Sequence, residues 1–140
     1  MQDTPSSYVY SGITNKIIQG YYEVYNLLGL GFSHEVYVES MYISLKKLDL
    51  PVQKNSQLPL KYLEEQVGML KVDLLIEDKV LVQLFTDRTL DIYNIQKVYN
   101  QLRSTEIPVG LVFNFGLNPE FKRKESIEWL RDKESRKING

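Results

Sequence analysis

Cysteine is absent from all 140 residues, which removes disulfides, thiolate metal sites and thiol nucleophiles together. Histidine occurs once, so a His-rich metal centre is excluded as well. No charge of either sign is in excess: 17 Lys and Arg stand against 18 Asp and Glu, a net charge of −1. A chain of that balance sets up no global positive field to gather nucleic acid, although a local basic patch remains compatible with it. Long apolar runs are missing too. The longest are strand-sized, such as Val109–Phe113, against the roughly 20 residues a membrane-spanning helix needs, so no membrane contact is expected. The opening MQDTPSS has no basic start followed by an apolar stretch, which argues against a secretory signal and leaves a cytoplasmic location as the expectation.

The residues that are present describe one ordinary globular domain. A hydrophobic fraction of 43% and a charged fraction of 25% are enough for a core and a solvated surface at this length. After a polar tail, Ile13, Ile17, Tyr21, Val24 and Leu28 recur at spacings of three and four, which predicts an amphipathic helix stopped at Gly29. Ser33 is placed to cap a second helix running to about Leu48, with Tyr37, Met41 and Leu45 on its buried stripe. Asp49–Pro51 breaks the helical pattern. Three strands follow, around Leu58–Tyr62, Val67–Ile76 and Val80–Phe85, joined by polar turns at Glu64–Gln66 and Glu77–Asp78. Residues 89–104 return to helical spacing through Ile92, Ile95, Val98, Tyr99 and Leu102. Pro108 ends them, and Val109–Phe115 is apolar on both faces, as a covered central strand should be. The stretch Lys124–Lys137 reads as a last helix anchored by Ile127, Trp129 and Leu130. The expected order is therefore ααβββαβα, an α/β (α+β) domain over residues 13–116, with an N-terminal tail at 1–12 and a helical extension at 117–140.

Three segments carry a family resemblance. LGLGFSHEVY at 28–37 resembles the pattern LGxGFxExVY, and VDLLIEDKVLVQLF at 72–85 is similar to ADhhhxDKhhhExK, where h is apolar. VGLVFNFG at 109–116 is similar to hGLhhNFG. In this order and spacing they resemble the GxxExxY family, a branch of the PD-(D/E)XK nuclease superfamily. The resemblance implies a restriction-endonuclease-like core, a mixed central sheet flanked by helices. It also implies a site in which a strand aspartate and a glutamate from the next strand hold a divalent metal. That metal lowers the pKa of a bound water. A lysine two residues beyond the glutamate shares its strand face and assists.

Carried over residue by residue, the pattern keeps Asp73 and fails at most of the other site positions. Gln83 stands at the glutamate position, Phe85 at the lysine position and His34 at the helix glutamate of GxxExxY, while Gly31 and Tyr37 are kept. Counting back from Gly116, the Gln and Tyr positions of the following helix hold Lys97 and Gln101, with Gln96 and Tyr99 close by. One carboxylate is left of an expected three, and Mg²⁺ is held by carboxylates, water and substrate oxygens. The expectation is a vestigial cleft of His34, Asp73, Gln83 and Phe85 with no catalysis and no cofactor. Lys71, Lys97 and Gln101 are candidate helpers, and Asp73 is the single candidate metal ligand.

Each residue also has a plainer reading. Asp73 can serve as a strand-end carboxylate bound to backbone donors, and Lys71 as an ordinary ion-pair lysine. Tyr21, Tyr22 and Tyr25 are either a stacking surface or the edge of the core. For function, the first reading is a silent nuclease-like module that binds a protein partner or its own copy. The second is a Mg²⁺-dependent nuclease whose ligands have moved to Glu35, Asp87 or Lys97. The third is nucleic-acid binding without cleavage.

Overall fold

The computed structural model of the protein describes residues 10–126. Helix α1, Ser11–Leu28, ends where Gly29 takes a positive φ of 66° and returns its N–H to the Tyr25 carbonyl, a conformation that suits a residue without Cβ. Helix α2, His34–Lys47, begins with the Ser33 hydroxyl accepting from the Val36 N–H, with Glu35 in its first turn and Lys46 and Lys47 in its last. Both charges complement the helix dipole. The two helices approach closely at Gly20, where a Cβ would lie 2.8 Å from Leu45 Cδ2. Strands β1 (Val52–Tyr62), β2 (Glu65–Ile76) and β3 (Val80–Phe85) form an antiparallel meander. Helix α3, Ile92–Arg103, is capped by the Asp91 carboxylate accepting from the Asn94 N–H. It carries the chain over the sheet to β4, Val109–Phe115, which pairs parallel to β3. A parallel pair requires such a crossover.

Sheet order is β1-β2-β3-β4-β5, so β2, β3 and β4 are interior as the apolar pattern predicts. Alternation along β3 and β4 divides the core between two layers. Val82, Leu84, Leu111, Phe113 and Phe115 pack with Ile17, Tyr21, Tyr37, Met41 and Leu45 of α1 and α2. Leu81 and Val112 pack with Val98 and Leu102 of α3. Each fully buried side chain of this size contributes about 1.5–3 kcal/mol.

The end of the chain differs from the sequence expectation. Pro119–Glu125 is a fifth strand, β5, antiparallel to β4, so the order is ααβββαββ and a boundary after residue 116 would cut β4 from its partner. Phe121 alone gives this strand apolar character, which hides a period of two. Lys124 and Glu125, read as the start of a helix, pair instead with Gly110 and Val109. The rest of that expected helix, 127–137, lies outside the described residues. Helix α1 also starts at Ser11, inside the expected tail.

Tyr21 ties β5 into the fold. Its hydroxyl donates to the Asn114 carbonyl and accepts the Glu120 N–H. Burial pushes this phenol well above the usual tyrosine range, against the opposing hydrogen bond from the Glu120 backbone. The early tyrosines therefore edge and fill the core: Tyr21 is fully buried, with Tyr22 and Tyr25 half-buried. A phenol neutral in the fold but ionisable when unfolded contributes stability that is complete below its unfolded pKa of about 10 and lost as pH rises beyond it. Tyr21→Phe is expected to cost about 1–3 kcal/mol at neutral pH, because a buried donor and acceptor lose their partner. It should also flatten the alkaline decline of the urea midpoint. An unchanged decline would remove Tyr21 as its source.

Candidate functional site

The site lies at a fork. Strand β2 pairs with β3 only from Leu74↔Val82 to Ile76↔Val80, and towards its N-terminus β2 leaves β3 in company with β1. Side-chain alternation resets at the departure. Leu74 and Ile76 belong to the α1/α2 layer and Leu75 to the α3 layer, yet Val72 and Leu70 also join the α3 layer. On β1, the residue opposite Asp73 is Asn55, which has a φ of 55° and no ladder partner. Beyond this point the β1–β2 hairpin turns onto α3, where the Lys61 N–H donates to the Ser104 carbonyl and Lys61 Nζ lies 3.5 Å from Glu106.

A fork of two strands leaves buried backbone groups without their ladder bonds, and such groups must be satisfied another way. Two side chains do so here. Gln83 Oε1 accepts the Asp73 N–H at 3.0 Å while Gln83 Nε2 donates to the Lys71 carbonyl at 3.1 Å. The amide thus stands where a peptide group of a neighbouring strand would stand. Asp73 Oδ2 accepts the Leu84 N–H at 2.8 Å from the other side. Asp73 and Gln83 are both buried.

Around this lacing the remaining candidates fall into two groups. His34 Nε2, at the first residue of α2, is 3.0 Å from Asp73 Oδ2. A carboxylate only accepts, so the proton between them sits on Nε2. The loop delivering His34 is fixed by Tyr37, whose hydroxyl donates to the Gly29 carbonyl at 2.6 Å and accepts the Phe32 N–H, and whose ring stacks on Phe115. Gln101 Oε1 of α3 is 3.4 Å from Gln83 Nε2. His34, Asp73, Gln83 and Gln101 therefore form one chain of contacts running from α2 through the sheet to α3.

Phe85 is turned into the α3 layer beside Leu90 and Leu102, with Lys97 Nζ 5.7 Å from its ring centroid. The Lys71 side chain is exposed, and its carbonyl makes the contact with Gln83. Of the residues considered as displaced ligands, Glu35 is exposed in the first turn of α2. Asp87 accepts from Asn94 Nδ2 at 2.6 Å. No group of three His, Asp or Glu suited to a metal ion occurs among the described residues.

Sequence reasoning passed over Asn114. Its amide accepts the Asp87 N–H and donates to the Asp87 carbonyl, clamping the loop after β3. Gly116 completes the clamp, since a Cβ there would run into the Asp87 and Arg88 carbonyls. The NFG of the third motif was the available signal.

A model of the PD-(D/E)XK nuclease superfamily matches residues 11–124. The chain belongs to this superfamily. No curated protein matches its sequence. Among solved structures, it is similar to an alkaline exonuclease from Laribacter hongkongensis, at 12% identity and a TM-score of 0.46, over 75% of this chain and 61% of that one. The chain thus spans about three fifths of the exonuclease.

At the fork, Gln83 is a structural amide. Gln83→Glu removes the donor to Lys71 and brings a second carboxylate up to Asp73. The expected loss is about 1–3 kcal/mol at neutral pH, read as a lower urea midpoint with an unchanged slope. A Gln83→Glu protein as stable as the parent would mean that the fork is not held by this amide.

Proposed function

We propose that the chain is a catalytically silent member of the superfamily, in its GxxExxY branch, that acts by binding a protein partner or a second copy of itself. One observation carries the reading. The side chain at the glutamate position bonds the Asp73 N–H with its oxygen and the Lys71 carbonyl with its nitrogen, and a carboxylate cannot make that pair of bonds.

The donor set also fits Mg²⁺ poorly. A hard divalent ion seeks carboxylate oxygens, and Asp73 Oδ2 is already engaged by Leu84 and His34. Phe85 offers no hydrogen-bond donor for a phosphate or a water. No step through a metal is therefore assigned to these residues.

The displaced-ligand nuclease has one specific observation in its favour. Lys97 brings a cation to the ring of Phe85, near the place left by the missing lysine. Under that reading Mg²⁺ would be the cofactor and nucleic acid the substrate.

Single- and double-stranded DNA and RNA, incubated with the chain and Mg²⁺ or Mn²⁺, should remain uncut above background. Restoring Gln83→Glu, Phe85→Lys and His34→Glu together is the informative control, and single restorations should do little because residues acting as a unit are strongly non-additive. Metal-dependent cutting by the parent chain that Asp73→Ala abolishes would replace the silent reading with the displaced-ligand enzyme.

A further inference from the structure

The tip of the β1–β2 hairpin, like the Glu77–Asp78 turn after β2, is built on two residues with left-handed backbone. Leu63 and Glu64 both have positive φ, 50° and 68°, in a two-residue turn where Asn and Gly would normally relieve the strain. A turn that keeps costly residues there points to a use for their side chains. Leu63 is 79% exposed and Tyr62 67%, and Glu64 and Glu65 follow directly. The tip is a protruding apolar knob with two carboxylates beside it.

A surface of opposite character lies between α3 and β5. The helix carries no Asp or Glu from Ile92 to Arg103, and Ile92, Ile95, Tyr99 and Arg103 recur at the spacing of one helical face. Lys124 and Arg103 sit over the Tyr99 ring at 5.7 and 5.5 Å, and Lys97 sits over Tyr93 at 5.9 Å. Among the described residues no carboxylate forms an ion pair with Lys97, Arg103, Lys122 or Lys124. Lys97, Arg103 and Lys124 are thus held against rings, and among the described residues no ion pair neutralises them. Beside them a groove of about 270 Å³ is lined by Tyr22, Leu90, Ile95, Pro119, Phe121 and Lys122, together with Glu120, whose carboxylate accepts the Leu90 N–H.

We propose that the α3–β5 groove receives the hairpin tip of a second copy of this chain, with Leu63 against Ile95 and Phe121 in the groove and Glu64 and Glu65 against the cations of α3 and β5. Within one chain the hairpin lies against the C-terminal end of α3, through Lys61 and Ser104. The groove lies along the side of α3 that faces β5, so among the described residues the hairpin tip does not fill the groove of its own chain. Two copies exchanging tips make a closed dimer, whereas a one-way contact would extend into a chain of molecules. Nucleic acid suits the surface less well, because the cations already cover the Tyr99 ring on which a base would stack.

Sedimentation of the full chain across a concentration series provides the test. A dimer is expected, weakened by salt. Glu64→Lys with Glu65→Lys should raise its dissociation constant by at least about tenfold, as should Lys97→Glu with Lys124→Glu. Lys46→Glu, on α2, should leave it unchanged. An equimolar mixture of the two reversed variants should associate again, since each tip then meets a groove of opposite charge. If a reversal impairs folding by circular dichroism, Leu63→Ser and Lys97→Gln provide milder versions of the same comparison. A chain monomeric at every concentration overturns the proposal, as does a dimer indifferent to both reversals. A monomer that binds oligo-dT through Lys97 and Lys124 overturns it in favour of nucleic acid. The association is independent of the Asp73 fork: cleavage activity would leave it standing, and a monomer would leave the silent fork standing.

Discussion

The separation of β2 from β3 is the constraint around which the other parts of this protein are arranged. Two strands that part inside a core expose peptide groups to a medium that cannot solvate them. The Gln83 amide and the Asp73 carboxylate supply the missing bonds. Because those bonds are made, the β1–β2 ribbon is able to leave the plane of the sheet and cover α3, and the α3 layer is able to include Leu58, Leu60 and Leu70. His34 and Gln101 then reach the same point from opposite layers. The polar atoms of Asp73 and Gln83 thus serve the backbone of both strands as well as these two side chains.

A second fixed point lies at the C-terminal ends of β3 and β4. Asn114, Gly116, Tyr25 and Tyr37 hold three loops there through backbone contacts. Aromatic rings stack through the layer, with Tyr37 on Phe115 at 3.9 Å and Tyr21 on Phe113 at 4.4 Å between centroids. Rings at these separations contribute beyond their buried area.

Most of the fold was legible in the sequence because its elements are strongly periodic. The helical spacing of Ile17, Tyr21 and Val24 and the two-sided apolar run at Val109–Phe115 each admit one reading. Strand β5 was not legible, since Pro119, Phe121, Arg123 and Glu125 share a face without sharing a chemistry. At the site, the period of two put Gln83 and Phe85 on one strand face, and counting back from Gly116 singled out Lys97 and Gln101, which lie near Phe85 and Gln83 in the fold. What each side chain does there was hidden. A glutamine at a glutamate position reads as a loss until the Lys71 carbonyl appears opposite its nitrogen. The clamp by Asn114 depends on a loop 27 residues away in the chain, and no local pattern encodes such a contact.

The left-handed residue at Asn55 matters beyond the fork. Strand β1 is 11 residues long and forms an outer edge of the sheet, the kind of edge on which stray chains add and fibrils start. Asn55 interrupts its extended backbone, Pro59 withholds an N–H, and Lys54 and Lys61 place charge on either side of them. These interruptions leave only short extended stretches along the edge, a feature that discourages edge-to-edge pairing. The bend that lets the ribbon cover α3 therefore also protects the protein from aggregation along its most exposed edge.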